Sequence, residues 1–368
     1  MASRSIRSTR ARRRSALLGS TLLLLTATGC SLLGEEDSSG GDDATSPAAR
    51  GSGEVVLVTH DSFSLPKKLV RDFERESGYT LVHSPAGDGG ELTSKLQITE
   101  GDPLGDVAFG VDNTFAGSVL DADVFAPYDA ELPAGADELV LPGDGEDGER
   151  QLTPVDTGNV CVNVDTAWFD QEGIEPPSSL DDLTDPAYQD LFVTSGATTS
   201  TPGMAFLLAT IGSYGEEWAD YWQDLVANGA KVVKGWEDAY YVDFTHAGGD
   251  RPIVLSYDTS PAFTVEDGET TTAALLDTCF RQVEYAGVLE GAQNPDGARA
   301  VVDWLLSPEV QAELPTSMYV FPVDQEAELP KDWAAFAEQP ESTVEVAPEE
   351  IAEHRREWLT TWSEITSR

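Results

Sequence analysis

The stretch Val55-Val56-Leu57-Val58-Thr59-His60-Asp61 places five strand-forming residues directly before two polar, chemically active ones. A short apolar run rich in β-branched residues reads as a buried strand. Downstream, Lys67 to Ser77 carries Leu69, Val70 and Phe73 at helical spacing, and Thr80 to His83 is strand again. Glu91 to Glu100 repeats the helical pattern through Leu92, Leu96 and Ile98, and Asp106 to Val111 is a third strand ending on Asp112. This β-α-β-α-β order is the opening of a parallel sheet with helices on both faces, and ligands of such sheets bind beyond the carboxyl ends of the strands. That crevice would be rimmed by His60 and Asp61, by Asp88 and Gly89, and by Asp112 and Asn113.

A second α/β unit starts near Pro154. Its expected strands are Asn159 to Val164, Leu191 to Thr194, Val232 with Val233, Ile253 to Tyr257 and Arg281 to Val288. Helices are expected over Ser178 to Leu183, Pro202 to Ile211 and Glu237 to Phe244, and later in the chain over Gly297 to Leu306 and Pro348 to Ile365. The predicted fold class is α/β, with two lobes joined by crossing strands. Lobe one takes residues 54–153 and 286–314, and lobe two takes 154–285 and 315–368. Trp218, Trp222, Trp304, Trp358 and Trp362 are assigned to core packing.

The chain begins with six arginines before residue 15 and no acid, then the apolar run Leu22 to Leu25 and the small residues Ala27, Thr28 and Gly29 ahead of Cys30. A basic start, an apolar run too short to cross a bilayer and small residues before a Cys form a secretory signal that is removed. Residues 1–29 are therefore expected to be cut away and Cys30 to carry a lipid, as in bacterial lipoproteins. Residues 30–53 are rich in Ser, Gly and Asp and lack aromatics, so they cannot bury enough apolar surface to offset chain entropy. They read as a disordered tether that holds the body about 25–30 Å from the outer face of the cytoplasmic membrane.

The formal charge is −44, with 66 acids against 22 Lys and Arg. Nucleic acid and anionic lipid headgroups would be repelled by such a surface, whereas a cationic ligand would be attracted. Dense surface acid also keeps an exported protein soluble. Apart from Cys30 the cysteines are Cys161 and Cys279, both in or beside strand-like runs. In an oxidising compartment two such residues can form one disulfide, or one can serve as a nucleophilic thiol. No G-x-S-x-G, H-E-x-x-H or phosphate-binding loop occurs, and the four histidines are scattered singly.

The most chemically loaded segment is Thr198-Thr199-Ser200-Thr201-Pro202-Gly203, followed by the apolar run Met204 to Leu208. A proline at the first helical position after Thr makes Thr201 the expected N-cap. Free N–H groups and a positive dipole end, flanked by hydroxyls, would form an anion site.

This segment, together with Val233-Lys234-Gly235-Trp236-Glu237-Asp238-Ala239-Tyr240, Val254 to Phe263, Thr59 to Phe63, Gly110 to Asn113, Pro315 to Val323 and Trp358 to Trp362, resembles the thiamine-binding proteins of bacterial ABC importers. The resemblance spans nearly the whole folded chain and implies a type II periplasmic-binding-protein clamshell. It implies a thiamine or thiamine-phosphate ligand, no cofactor and no catalysis, and the permease and ATPase subunits of an importer as partners. It further implies ligand contacts at Asp88 and Gly89, at Ser200 and Thr201 for the phosphate or hydroxyethyl end, at Trp236, and along Tyr257, Asp258, Thr259 and Ser260. His60 and Asp61 belong to the same set. His60 and Phe263 stand where the family usually has Tyr, Tyr319 where it has a hinge-side Trp, and Asp258 where it has Thr. Thiamine carries a fixed positive charge, which Trp236, Tyr257, Phe263, Tyr319 and Asp88 suit as ring faces and a carboxylate. Two alternatives remain. Adjacent Tyr240 and Tyr241 fit the phenolate pair of ferric-ion-binding proteins of this fold class, with no other metal ligands singled out. A free Cys161 or Cys279 would fit a thiaminase of the first type, which shares the clamshell.

Overall fold

The computed structural model describes residues 53–145 and 148–367. The expected signal peptide, the lipidated Cys30 and residues 30–52 of the tether lie outside the described residues. The chain enters the fold on strand β1 (Gly53–Thr59), followed by helix α1 (Lys67–Ser77), β2 (Tyr79–Pro85), α2 (Gly89–Ile98) and β3 (Val107–Asp112). β1 pairs in parallel with β2 on one side and β3 on the other. The apolar face of α1 buries Phe73, and the helix stops at Gly78, whose φ of 83° gives the left-handed turn that glycine adopts without strain.

Two long strands, β4 (Thr153–Asp165) and, later in the chain, Thr272–Leu289, carry the middle of the molecule. Between them come β5 (Phe192–Ser195), α3 (Thr201–Tyr214), α4 (Trp218–Ala227), β6 (Lys231–Val233) and β7 (Ile253–Tyr257). With the second long strand named β8, the sheet runs β2-β1-β3-β8-β4-β7-β5-β6, and the two-residue strands Phe125–Ala126 and Phe321–Pro322 add to β8 and β4. β8 is antiparallel to both β3 and β4, so it joins the two parallel portions. Its pairing with β4 runs from Ala286 opposite Thr153 to Thr272 opposite Asp165 and breaks between Leu275 and Phe280. The Cys161–Cys279 disulfide bridges the two strands at that break.

One core lies where β1, β3 and β8 meet α5 (Pro295–Leu305), packing Val55, Leu57, Phe109, Val301 and Leu305. The larger core surrounds α3. From Thr201 to Ile211 every residue of that helix is buried, as expected for a helix apolar all round. Trp222 and Trp362, the latter on α6 (Pro348–Thr366), close over it with ring centroids 5.6 Å apart. Trp218 and Trp358 are buried nearby, and Trp304 packs on Phe73.

Several expected elements change on folding. Residues 178–183 form no helix beyond the short turn Asp181–Thr184, because Asp182 caps the backbone of Ser178 and Ser179 locally. The strand expected over Arg281 to Val288 starts at Thr272, since β4 also supplies partners for Thr272 to Leu275. Residues 237–244 make one helical turn, Trp236–Asp238, and then a widened turn closed by Phe244 N–H donating to the Ala239 carbonyl. Thr201 is the first residue of α3 rather than its cap; Ser200 takes the cap position and makes no side-chain capping bond.

Candidate functional site

A cavity of about 380 Å³ opens at the ends of β1, β7 and α3. His60 and Asp61 follow β1, Asp88 and Gly89 begin α2, and Thr201 begins α3. Trp236, Tyr257, Thr259 and Ser260 line another wall, and Phe263 and Tyr319 reach the rim. Eleven of the thirteen residues singled out as ligand-contacting thus meet in one place. Ser200 and Asp258 do not line it. Ser200 is fully buried and donates its hydroxyl to Ser195 Oγ at 2.8 Å. Asp258 points into the core, where it accepts from Asn159 Nδ2 at 2.7 Å and from the Asn159 backbone; burial pushes its carboxyl up to about 6. Asp112 and Asn113, expected on the rim, also lie elsewhere: Asp112 is fully buried, held by Thr114 and Phe115.

Asp88 organises the site. Its Oδ1 accepts from Gly89 N at 2.6 Å and Thr201 N at 3.2 Å, and its Oδ2 accepts from Trp236 N at 2.8 Å. One carboxylate therefore gathers backbone donors from three separate segments, including the opening N–H of α3, and supplies the negative charge the helix dipole favours there. The helix end expected to bind an anion already has one from its own chain. Gly89 makes this approach feasible, because a Cβ there would overlap the Thr201 hydroxyl. Gly110 plays a similar part under His60: its φ is 102°, and a Cβ would run into the imidazole.

The aromatic wall is stacked. Trp236 lies over Tyr240 with centroids 5.0 Å apart and an interplanar angle of 18°, and its Nε1 donates to Ser256 Oγ at 3.0 Å. Tyr257 meets Trp236 edge-on at 6.2 Å, and Phe263 meets Tyr319 edge-on at 5.0 Å. Tyr240 and Tyr241 sit on the widened turn after Trp236, a backbone irregularity frequent at functional sites.

The cavity floor holds Glu284, 6% exposed, on β8. In register beside it stand Asp156 on β4 and Asp112 on β3. Burial pushes Glu284 up to about 7, with Asp88 adding repulsion while a bond with the Asp156 carboxyl and one with Gln282 work against the rise. Burial and the Glu284 charge hold Asp156 well above the usual carboxylate range, and burial moves Asp112 up to about 7. His60 Nε2 lies 3.7 Å from Glu284, and burial lowers its pKa against the opposing pull of Asp88, Asp61 and Glu237. Glu284 was not singled out from sequence, although an acid between Val283 and Tyr285 in an otherwise buried strand is a readable signal.

Three buried polar atoms of the lining have no partner: His60 Nε2, Thr201 Oγ1 and Tyr240 OH. Leaving a buried polar group unmade costs about 1–3 kcal/mol, so three around one cavity mark it as built for a polar occupant. A larger open cleft, about 1090 Å³, lies between residues 113–121 and α6, but only Arg355 Nε among its lining atoms is similarly unpartnered. We therefore assign the functional site to the smaller cavity. The disulfide leaves no free thiol among the described residues.

Residues 102–337 match the family described as bacterial extracellular solute-binding protein. A thiamine-binding periplasmic protein of Brucella abortus biovar 1 is 30% identical over 333 residues, 88% of this chain and 95% of the relative. A solved periplasmic thiamin binding protein superposes with a TM-score of 0.75 at 27% identity, covering 87% of this chain and 99% of the other. A ferric binding protein from Campylobacter jejuni reaches a TM-score of 0.65 at 15% identity over 84% of this chain and 99% of its own, a likeness of fold alone.

Proposed function

Because this chain belongs to the bacterial extracellular solute-binding proteins, a family of receptors rather than enzymes, we propose that it captures thiamine or a thiamine phosphate and delivers it to an ABC importer. In this reading residues 1–29 direct export, Cys30 is lipidated, and residues 30–53 tether the receptor to the outer face of the cytoplasmic membrane. The lobes are residues 54–153 with 286–314 and residues 154–285 with 315–368. Their closure about β4 and β8 buries the ligand, and permease and ATPase subunits receive the closed form.

The observation that carries the reading is one cavity in which ring faces and carboxyls surround unpartnered hydroxyl, phenol and imidazole atoms. A thiazolium over the open face of Trp236 gains a cation–π contact of about 0.5–2 kcal/mol, larger as water is excluded. The acids supply its counter-charge, and Thr201 Oγ1 and Tyr240 OH offer hydrogen bonds to its polar substituents. Titration calorimetry with thiamine tests this. One saturable site is expected, with Trp236→Ala weakening it at least tenfold while the melting temperature stays near that of the parent. No heat of binding from the natural chain, or an unchanged affinity in the variant, would discard the pocket.

A further inference from the structure

We propose that Arg355 is a positioning residue for ligand capture: from outside the cavity, its guanidinium holds Phe115 and so seats the Asp88 turn against Thr201 and Trp236. This rests on the two-lobe thiamine reading above, in which Arg355 belongs to lobe two and Phe115 to lobe one. Arg355 stands on α6 and lines the cleft of about 1090 Å³. Its guanidinium carbon lies 4.4 Å from the centroid of the Phe115 ring. The side chain is partly buried, its Nε donates to nothing, and the acid acting on it is the buried Asp112. A cation drawn out of water without a hydrogen bond at Nε is costly, and the ring face is the contact that offsets the cost. The ring itself is held firmly, because Asp112 accepts from Phe115 N at 3.1 Å and from Thr114 Oγ1 at 2.8 Å.

A chain of contacts carries this clamp to the cavity. The Phe115 ring packs against Gly90, where an added Cβ would sit 3.0 Å from Phe115 Cζ, 2.9 Å from the Thr198 carbonyl oxygen and 2.7 Å from the Thr199 carbonyl carbon. Gly90 is thus pressed between the ring and the backbone of the other lobe. Beside it, Glu91 N donates to the Thr199 carbonyl at 3.1 Å, and Lys234 Nζ pairs with Glu91 at 2.9 Å. Two residues before Gly90 stands Asp88, whose carboxylate receives the Thr201 and Trp236 N–H groups. When the lobes part, the ring leaves the guanidinium as Asp88 leaves Trp236. A contact made only in the closed form raises the binding-competent fraction and slows escape of the ligand. Net charge works in the opposite direction: removing a positive charge from a chain at −44 would by itself favour a cationic ligand. Weaker thiamine binding on loss of Arg355 therefore has the wrong sign for long-range electrostatics.

Stopped-flow tryptophan fluorescence with thiamine, together with small-angle scattering from the empty protein, tests the proposal. Arg355→Met keeps the aliphatic stem and should speed thiamine dissociation about fivefold or more, the worth of one partly desolvated cation–π contact, with association nearly unchanged. Phe115→Leu should do the same, and the double variant should dissociate no faster than the faster single one. Arg355→Lys restores the charge without the planar fork and should recover part of the loss. A residue that merely stabilised the fold would lower the melting temperature in these variants and leave dissociation as in the parent. Unchanged or tighter binding in Arg355→Met, or fully additive losses in the double variant, would overturn the proposal while leaving a thiamine receptor intact. If the natural chain binds no thiamine, the ligand reading falls and scattering decides the clamp: Arg355→Met must then enlarge the radius of gyration of the empty protein, and an unchanged radius overturns the clamp as well.

Discussion

Replacing Glu284 by Gln should abolish most of the pH dependence of thiamine binding. In the empty site the carboxyl titrates at about 7 against an ordinary 4.5, so the buried protein holds that proton with about 3 kcal/mol of preference over the unfolded chain. The native state binds more protons than the unfolded one between those two values, so this group's contribution to stability is complete below pH 4.5 and is lost as pH rises through 7. A permanent cation against Glu284 favours the ionised form and expels the proton. Thiamine affinity should therefore rise with pH, by up to about tenfold per unit below 7, and level off above it. The facing groups act in known directions. Asp88 raises the cost of ionising Glu284 and the bonds with Asp156 and Gln282 ease it, whereas His60 would repel the ligand on gaining a proton, below its already lowered pKa. Calorimetry in buffers of different ionisation enthalpy counts the proton released, which should approach one per ligand near pH 6. With Glu284→Gln the release should largely vanish, affinity at pH 8 should fall about tenfold to a hundredfold, and the empty protein should melt higher at pH 8. A parent protein with flat affinity from pH 6 to 8 and no proton release would refute the assignment of Glu284 as counter-charge.

Two further outcomes follow from the packing. Gly89→Ala puts a methyl group against the Thr201 hydroxyl and should separate the start of α2 from the start of α3, lowering thiamine affinity more than it lowers the melting temperature. Opening the Cys161–Cys279 bridge, by reduction or by the double Cys→Ala change, frees a 118-residue separation in the unfolded chain and should cost up to about 5 kcal/mol in denaturant unfolding, with thiamine affinity at 25 °C little changed.

Local pattern carried the first half of the fold well. The apolar run from Val55 and the Leu69, Val70, Phe73 spacing placed β1 and α1, because a buried parallel strand and a one-sided helix each leave their period in the sequence. Ile253 to Tyr257 emerged with the expected limits for the same reason. The reach of β8 did not, since Thr272 to Leu275 become a strand only through the partner β4 lays beside them. The site divided along the same line. His60, Asp88 and Trp236 stand where strands and turns end, positions that motif and resemblance can locate. Glu284 acquires its character from Asp156, far away in sequence, and from burial on both sides of β8. Likewise Thr201 was expected to cap its own helix, but the cap is the Asp88 carboxylate arriving from another segment.

The paired Tyr240 and Tyr241 show how surroundings decide between two chemistries open to one dipeptide. A ferric site would use the oxygens as phenolates, with the bound ion itself supplying the charge that drives off their protons. Here burial raises both phenols, with Glu237 raising Tyr241 further, and the lining offers no Lys or Arg to reverse the effect. Among the described residues no group of three or more His, Cys, Asp or Glu side chains is placed to hold a metal. The rings, by contrast, are well used: Tyr240 stacks beneath Trp236 and meets Phe263 edge-on, fixing the platform from below. Acids that oppose a phenolate favour a ligand whose positive charge cannot be titrated away. In this arrangement the dipeptide contributes π faces and one neutral hydroxyl, the surfaces on which an organic cation stacks.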